Sequence, residues 1–229
     1  MEENLEPLPK LSAEARRVLG VLVEKAKTTP DNYPLSVAAI VTGSNQKSNR
    51  SPQMQMTEEQ ALEALDELRG VGAAREIQGS GRVTKYRHAM YEWMNIESAE
   101  SAIMTELLLR GPQTVGELRT RASRMVSFDD LAAVKQTLST LHAKGLADSL
   151  TPPGRGQMFA HSFYTPQEQQ HVVARAEKLS TAGSAGSAPA AGKSVVSENS
   201  PHIDRLLERL DRVSSRIDAL EARIEELES

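Results

Sequence analysis

Cysteine is absent from the 229 residues. Disulfides, thiolate nucleophiles and cysteine-based zinc sites are excluded with it. Aromatic residues make up only 3% of the chain and apolar residues 39%. That is low for a single large core and fits small helical units joined by polar segments. No apolar run approaches the length that spans a bilayer. The opening MEENLEPLPK is acidic and proline-bearing, the opposite of a signal peptide, so the expected location is cytoplasmic. A strong charge of one sign is missing too. The net charge is −4, divided as −1, 0 and −3 over residues 1–95, 96–164 and 165–229. Neither half is a basic domain, so any nucleic-acid surface has to be a local patch.

What is present is periodicity. Val18, Leu19, Leu22 and Val23 recur at helical spacing behind Ser12, a natural N-cap, and predict a first helix over about 12–26. A short helix follows from Ser36 to about Thr42. Thr57 with Gln60 makes a capping box for a third, with Ala61, Leu62, Leu65 and Leu68 on one face and a stop near Gly70 and Gly72. AAREIQ and RVTKYRHA, separated by GSG, predict a hairpin.

The order then repeats. ESAESAIMTELLLRG is a helix with Ile103, Leu107 and Leu108 inward, and Thr114 with Glu117 caps a second. Ser127 with Asp130 is expected to cap a third helix whose apolar face carries Leu131, Val134, Leu138 and Leu141, and Gly145 ends it. LADSL, TPPGRG and QMFAHSFY form another hairpin. Between its second and third helices the first copy is longer by five residues, within the run GSNQKSNRSPQM (43–54). That run has no large apolar side chain between Gly43 and Pro52, and reads as an added surface loop.

Three helices and a β-hairpin in about 75 residues is the pattern of a winged helix. The expected fold is therefore mainly α with small β-hairpins (α+β). Two tandem winged-helix domains, 10–95 and 96–164, are followed by a polar helix (165–180), a flexible linker (181–200) and a coiled coil (201–229). In that tail Ile203, Leu210, Ile217 and Ile224 fall at heptad position a, and Leu206, Val213, Leu220 and Leu227 at d. Isoleucine at a with leucine at d favours a parallel two-stranded homodimer. The competing reading is a single amphipathic helix docked on the body, which the narrow stripe and charged flanks disfavour.

ARRVLGVLVEK (15–25), TTPDNYPLS (28–36), NQKSNR (45–50), VTKYRH (83–88) and LLLRGPQTVGELRTR (107–121) stand in order along the chain. With these blocks it resembles the YceH-like family of bacterial proteins over roughly residues 10–164. The resemblance implies two tandem winged-helix units and little about activity. Ser44 stands where a cysteine is expected in many members, so no thiol-based role carries over.

Chemistry gets little support from the sequence. The histidines 88, 142, 161, 171 and 202 are scattered without metal-ligand spacing. GSGR lies between strands and is a hairpin tip, not a phosphate cradle. Glu58–Glu59 and Asp129–Asp130 open helices, where the dipole favours negative charge. No catalytic residue, metal or cofactor is expected, and the chain reads as a non-enzyme.

DNA binding, as a regulator or chromosome-associated factor, is the leading expectation. Its candidate contacts are Asn45, Gln46, Lys47, Asn49 and Arg50 in the loop and Arg82, Lys85 and Arg87 on the first wing. The second unit adds Arg119, Arg121 and Arg124 on its second helix and that helix's exit, and Arg155 on its wing. Singly, each reads as a solvated surface cation. Against DNA stands the third helix of the first unit, with Glu58, Glu59, Glu63, Asp66 and Glu67 against Arg69 alone, since phosphates repel such a helix. The alternative is a protein–protein adaptor that uses its winged helices without DNA.

Overall fold

A computed structural model describes residues 8–78, 83–154 and 156–184, with side chains of the last helix described to Ala176. The eight heptad positions from Ile203 to Leu227, Arg82 and Arg155 lie outside the described residues. Among the described residues the chain is mainly helical with two small antiparallel sheets, and no helix is long and apolar enough to cross a membrane.

The first repeat runs α1 (Ala13–Thr28), β1 (Leu35–Ser36), α2 (Val37–Ser44), α3 (Glu58–Gly70), β2 (Ala74–Ile77) and β3 (Lys85–His88). A short α4 (Met90–Met94) leads to the second: α5 (Ser98–Arg110), β4 (Gln113–Thr114), α6 (Val115–Ala122), α7 (Leu131–Ala143), β5 (Ala147–Ser149) and β6 (Met158–His161). The helix α8 (Pro166–Ser184) follows. Each sheet has three strands, ordered β1-β3-β2 and β4-β6-β5. The short strands β1 and β4 are additions to the expected hairpins.

The helix starts are set locally. Ser12 accepts from Ala15 N–H, and Thr57–Gln60 and Thr114–Glu117 form reciprocal capping boxes. Gly72 and Gly145 follow α3 and α7 with φ of 81° and 69°, a left-handed geometry that a Cβ would strain. The expected Ser127 cap is replaced by Asp130, whose side chain accepts from Ala133 N–H at 2.8 Å. Asp130 has the shorter reach into its own first turn.

One hydrophobic core runs through both repeats. Its centre is α1 against α5. Ala15 to Glu24 and Glu100 to Leu109 are buried without a break, so both helices are enclosed on every side. The approach is close at Gly20, where a Cβ would stand 2.9 Å from Leu109 Cδ2. Ile103, Leu107 and Leu109 are fully buried, each contributing about 1.5–3 kcal/mol relative to exposure. Two expected core residues are not core. Leu62 and Leu131 are 43% and 46% exposed. Ala64 takes the inward place on α3 beside Leu65 and Leu68, and Leu131 sits at the first turn of α7, beyond the packed stretch.

Candidate nucleic-acid interface

The loop between α2 and α3 does less at the surface than its composition implies. Arg50 is buried. Its Nε donates to Gly43 O at 2.8 Å, and its Nη2 donates to Glu24 Oε2 at 2.6 Å. The loop was expected to lie wholly outside the core. It folds back because Glu24, buried on α1, requires a cation. Asn45 bonds both ways with Met56, its amide donating to the carbonyl at 2.9 Å and its oxygen accepting from the N–H at 2.7 Å. Asn49 has φ 62° and accepts from Arg110 Nη2 at 2.6 Å. These are structural bonds within a long turn. Gln46 is half-buried and Lys47 exposed.

The expected cations of the second repeat are also engaged internally. Arg124 donates to Glu106 Oε1 at 2.9 Å and to Glu24 Oε1 at 3.2 Å. Arg121 pairs with Glu117 and donates to Gln113, and Arg119 caps the carbonyls of Phe128 and Asp129. Arg110 pairs with the other oxygen of Glu106 at 2.9 Å. Glu24, Arg50, Arg124, Glu106 and Arg110 thus form one ion network that ties α1 and the loop to α5 and the exit of α6. Burial raises the Glu24 carboxyl, but the Arg50 hydrogen bond and the charges of Arg50, Lys25 and Arg124 outweigh it and hold it below its ordinary range. Two of the sequence-predicted arginines, Arg50 and Arg124, meet in this network and not in a groove-facing patch.

The first sheet differs. β2 and β3 pair with Arg75 opposite Arg87 and Ile77 opposite Lys85. Partners directly opposite share a face, so Arg75, Lys85 and Arg87 stand on one side of the sheet. Ala74 and Tyr86 turn to the core from the other side. Arg75 and Lys85 are exposed and Arg87 is half-buried, and none has a carboxylate partner among the described residues. The nearby Arg69 neutralises Glu76 at 3.2 Å, removing the one acid of β2 from competition. Like charges directly opposite destabilise a strand pair, so this face is positive at some expense to the fold. Arg75 was missed in the sequence because AAREIQ was read for its strand pattern alone. The register with Arg87 is the signal, and the register emerges only from the fold.

On α3, Glu58, Glu59, Leu62, Glu63 and Asp66 are all exposed. Glu67 accepts from Ser12 N–H and Oγ–H and is thereby held at the start of α1. The outward side of α7 carries Lys135, Gln136, Ser139 and Thr140 and no acid. Among the described residues no three of His, Asp and Glu come together as a metal set.

A family model described as "Protein of unknown function, DUF480" matches residues 11–154, from the start of α1 to the turn between β5 and β6. The chain is 61% identical over 208 residues to a UPF0502 protein of Rhodopirellula baltica, which spans 90% of this chain and 87% of that one. It is 43% identical over 183 residues to a UPF0502 protein of Geotalea uraniireducens, covering 80% and 81%. A third, from Dechloromonas aromatica, is 37% identical over 206 residues, covering 88% and 91%. Similarity on this scale, running through both repeats, places the chain in the DUF480 family, among the UPF0502 proteins of bacteria.

Proposed function

We propose that this chain is a non-enzymatic protein of two tandem winged-helix units that binds the phosphate backbone of duplex DNA through the outer face of its first sheet. The element order helix, strand, helix, helix, strand, strand, twice over, supports the winged-helix reading. The observation that carries the DNA reading is the cross-strand Arg75–Arg87 pair with Lys85 beside it, three cations of the first sheet with no carboxylate partner among the described residues. A like-charge pair of this kind is relieved by a bound anion, and a phosphate array supplies several. The acidic α3 does not enter a groove in this arrangement. Contacts are to the backbone, so affinity is salt-dependent and sequence preference small. The heptads between Ile203 and Leu227 support a parallel homodimer, which would present two such faces.

A second reading rests on α3. Its exposed acids surround the exposed Leu62, a surface suited to a basic protein partner, and this favours an adaptor that does not touch DNA. Titration of the full chain with random duplex DNA at two salt concentrations separates the two. The DNA reading expects log affinity to fall with log salt by about 0.9 for each phosphate contact, and expects Arg75→Glu with Arg87→Glu to abolish binding. Absence of binding at low salt overturns it and leaves the adaptor.

A further inference from the structure

We propose that the cleft between α1, residues 51–54, the end of α5, β6 and α8 binds a small organic carboxylate with an apolar body. The inference stands apart from the DNA reading. The cleft has a volume of about 370 Å³, within the range of roughly 300–1,000 Å³ typical of small-molecule sites. Met54, Leu108, Pro112, Met158 and Val172 give it a largely apolar wall. Charge on that wall is one-sided: Arg16, Arg17, Arg110 and Arg175 face a single carboxylate, Glu168.

The arginines are not equivalent. Arg16 is neutralised by Glu168 through a two-pronged pair, and Arg110 by Glu106. Arg17 is 2% exposed and has no carboxylate partner among the described residues. Its Nη1 and Nη2 donate to the carbonyls of Ser44 and Pro52 at 3.0 and 2.7 Å, and its Nε–H finds no acceptor among the described residues. A buried guanidinium held only by backbone dipoles keeps its full charge at the wall of the cleft, where low polarity strengthens its pull on an anion. Arg175 stands exposed at the rim on α8, without a carboxylate partner among the described residues.

Two further donors line the same space. His161 is 3% exposed, and burial drives its pKa down to about 3, so its ring is neutral. Its Nδ1 accepts from Phe163 N–H at 3.2 Å, which puts the proton on Nε2. That N–H, and the Tyr164 hydroxyl, have no protein acceptor among the hydrogen bonds of the described residues. An unneutralised guanidinium, a neutral imidazole N–H and a phenol suit one carboxylate, and the apolar wall suits a hydrocarbon or aromatic body attached to it. A bare inorganic anion would leave that wall uncovered, and a neutral apolar molecule would leave Arg17 uncompensated.

Calorimetric titration of the full chain with octanoate, octanol and inorganic phosphate tests this. Saturable binding of octanoate is expected, with octanol much weaker and phosphate undetected. Val172→Trp fills the cleft and is expected to abolish octanoate binding. Arg175→Glu, on an exposed side chain, is expected to weaken it several-fold without shifting the unfolding temperature. Undetectable octanoate binding, equal binding of octanol or phosphate, or undiminished octanoate binding in either variant overturns the proposal. Should Val172→Trp not fold, the comparison of ligands and Arg175→Glu decide it.

Discussion

Arg50 Nη2 lies 2.6 Å from Glu24 Oε2, with the two side chains 0% and 3% exposed. The pair pins the added loop of the first repeat onto α1, and through Arg124 reaches Glu106 on α5. Removing Arg50 strips the buried Glu24 carboxylate of its closest partner and leaves it only Arg124 at 3.2 Å and Lys25 at 4.0 Å. Arg50→Met is therefore expected to destabilise the fold by about 3–5 kcal/mol in urea unfolding. Glu24→Leu combined with Arg50→Met is expected to cost less than the sum of the single changes, since neither charge is then stranded. A loss below about 0.5 kcal/mol for Arg50→Met would show the arginine to be a surface cation after all.

Arg75 and Arg87 yield a prediction with two signs. Arg75→Glu turns a like-charge cross-strand pair into an opposite one, worth about 0.2–1 kcal/mol, so thermal stability is expected to rise. Under the DNA reading, the same change weakens DNA binding and lowers the salt slope by about 0.9. Stability that rises while DNA affinity stays unchanged would remove the wing from the interface.

Acid stability is expected to decay in two stages. Burial lowers His88 to about 4 and His161 to about 3, from an ordinary value of 6.5. A lowered folded pKa means that the unfolded chain binds the extra protons. The stabilisation is complete above 6.5 and is lost as pH falls from there toward 4 and 3. A second stage begins near 4.5, where Glu168 is held at about 2, first by its hydrogen bond from Arg16. Melting temperature followed from pH 8 to 3 is expected to fall already below 6.5. His161→Gln, which does not titrate, is expected to make the fall below 6.5 shallower, leaving the part that His88 contributes. A flat profile down to pH 4.5 in the parent chain would contradict the burial of both rings.

Much of the fold was legible because its signals are local. The caps at Ser12, Thr57 and Thr114 and the stops at Gly72 and Gly145 depend on residues within one turn, and the order of elements followed from them. What escaped depends on tertiary partners. Arg50 reads as a loop cation until Glu24, 26 residues earlier, is seen to need it. α5 carries Ser101, Thr105 and Glu106 among its apolar residues, so its pattern suggests one inward face. It is buried all round because α1 and the ion network cover the polar side. Leu62 and Leu131 fit the apolar spacing and still face outward, as spacing cannot say where the neighbouring helix ends. Lys85 and Arg87 stand out by composition alone, whereas the pairing of Arg75 with Arg87 needed the strand register.

Ser44 is fully buried, and its hydroxyl has no hydrogen-bond partner among the described residues. A buried hydroxyl without a partner loses its hydration for nothing, about 1–3 kcal/mol. Ser44→Ala is accordingly expected to leave stability equal or raised in chemical denaturation. A large loss would reveal a bond to water or backbone at this site.

Gly20 and Gly116 both lie in helices, and alanine is expected to act on them with opposite sign. Alanine favours a helix interior over glycine by about 0.8–1.0 kcal/mol. At Gly116 a Cβ would meet nothing within 4 Å, so Gly116→Ala is expected to stabilise modestly. At Gly20 the Cβ would stand 2.9 Å from both Cγ and Cδ2 of Leu109, a side chain that is itself fully buried. Overpacking of this kind costs about 1–3 kcal/mol, more than the propensity gain. Gly20→Ala is therefore expected to lower the urea midpoint. Because the clash lies between α1 of the first repeat and α5 of the second, it also tests whether the two repeats unfold together. A single transition that shifts as a whole means that α1 and α5 hold one cooperative core, and an unshifted midpoint would contradict the close approach of α1 to α5 at Gly20.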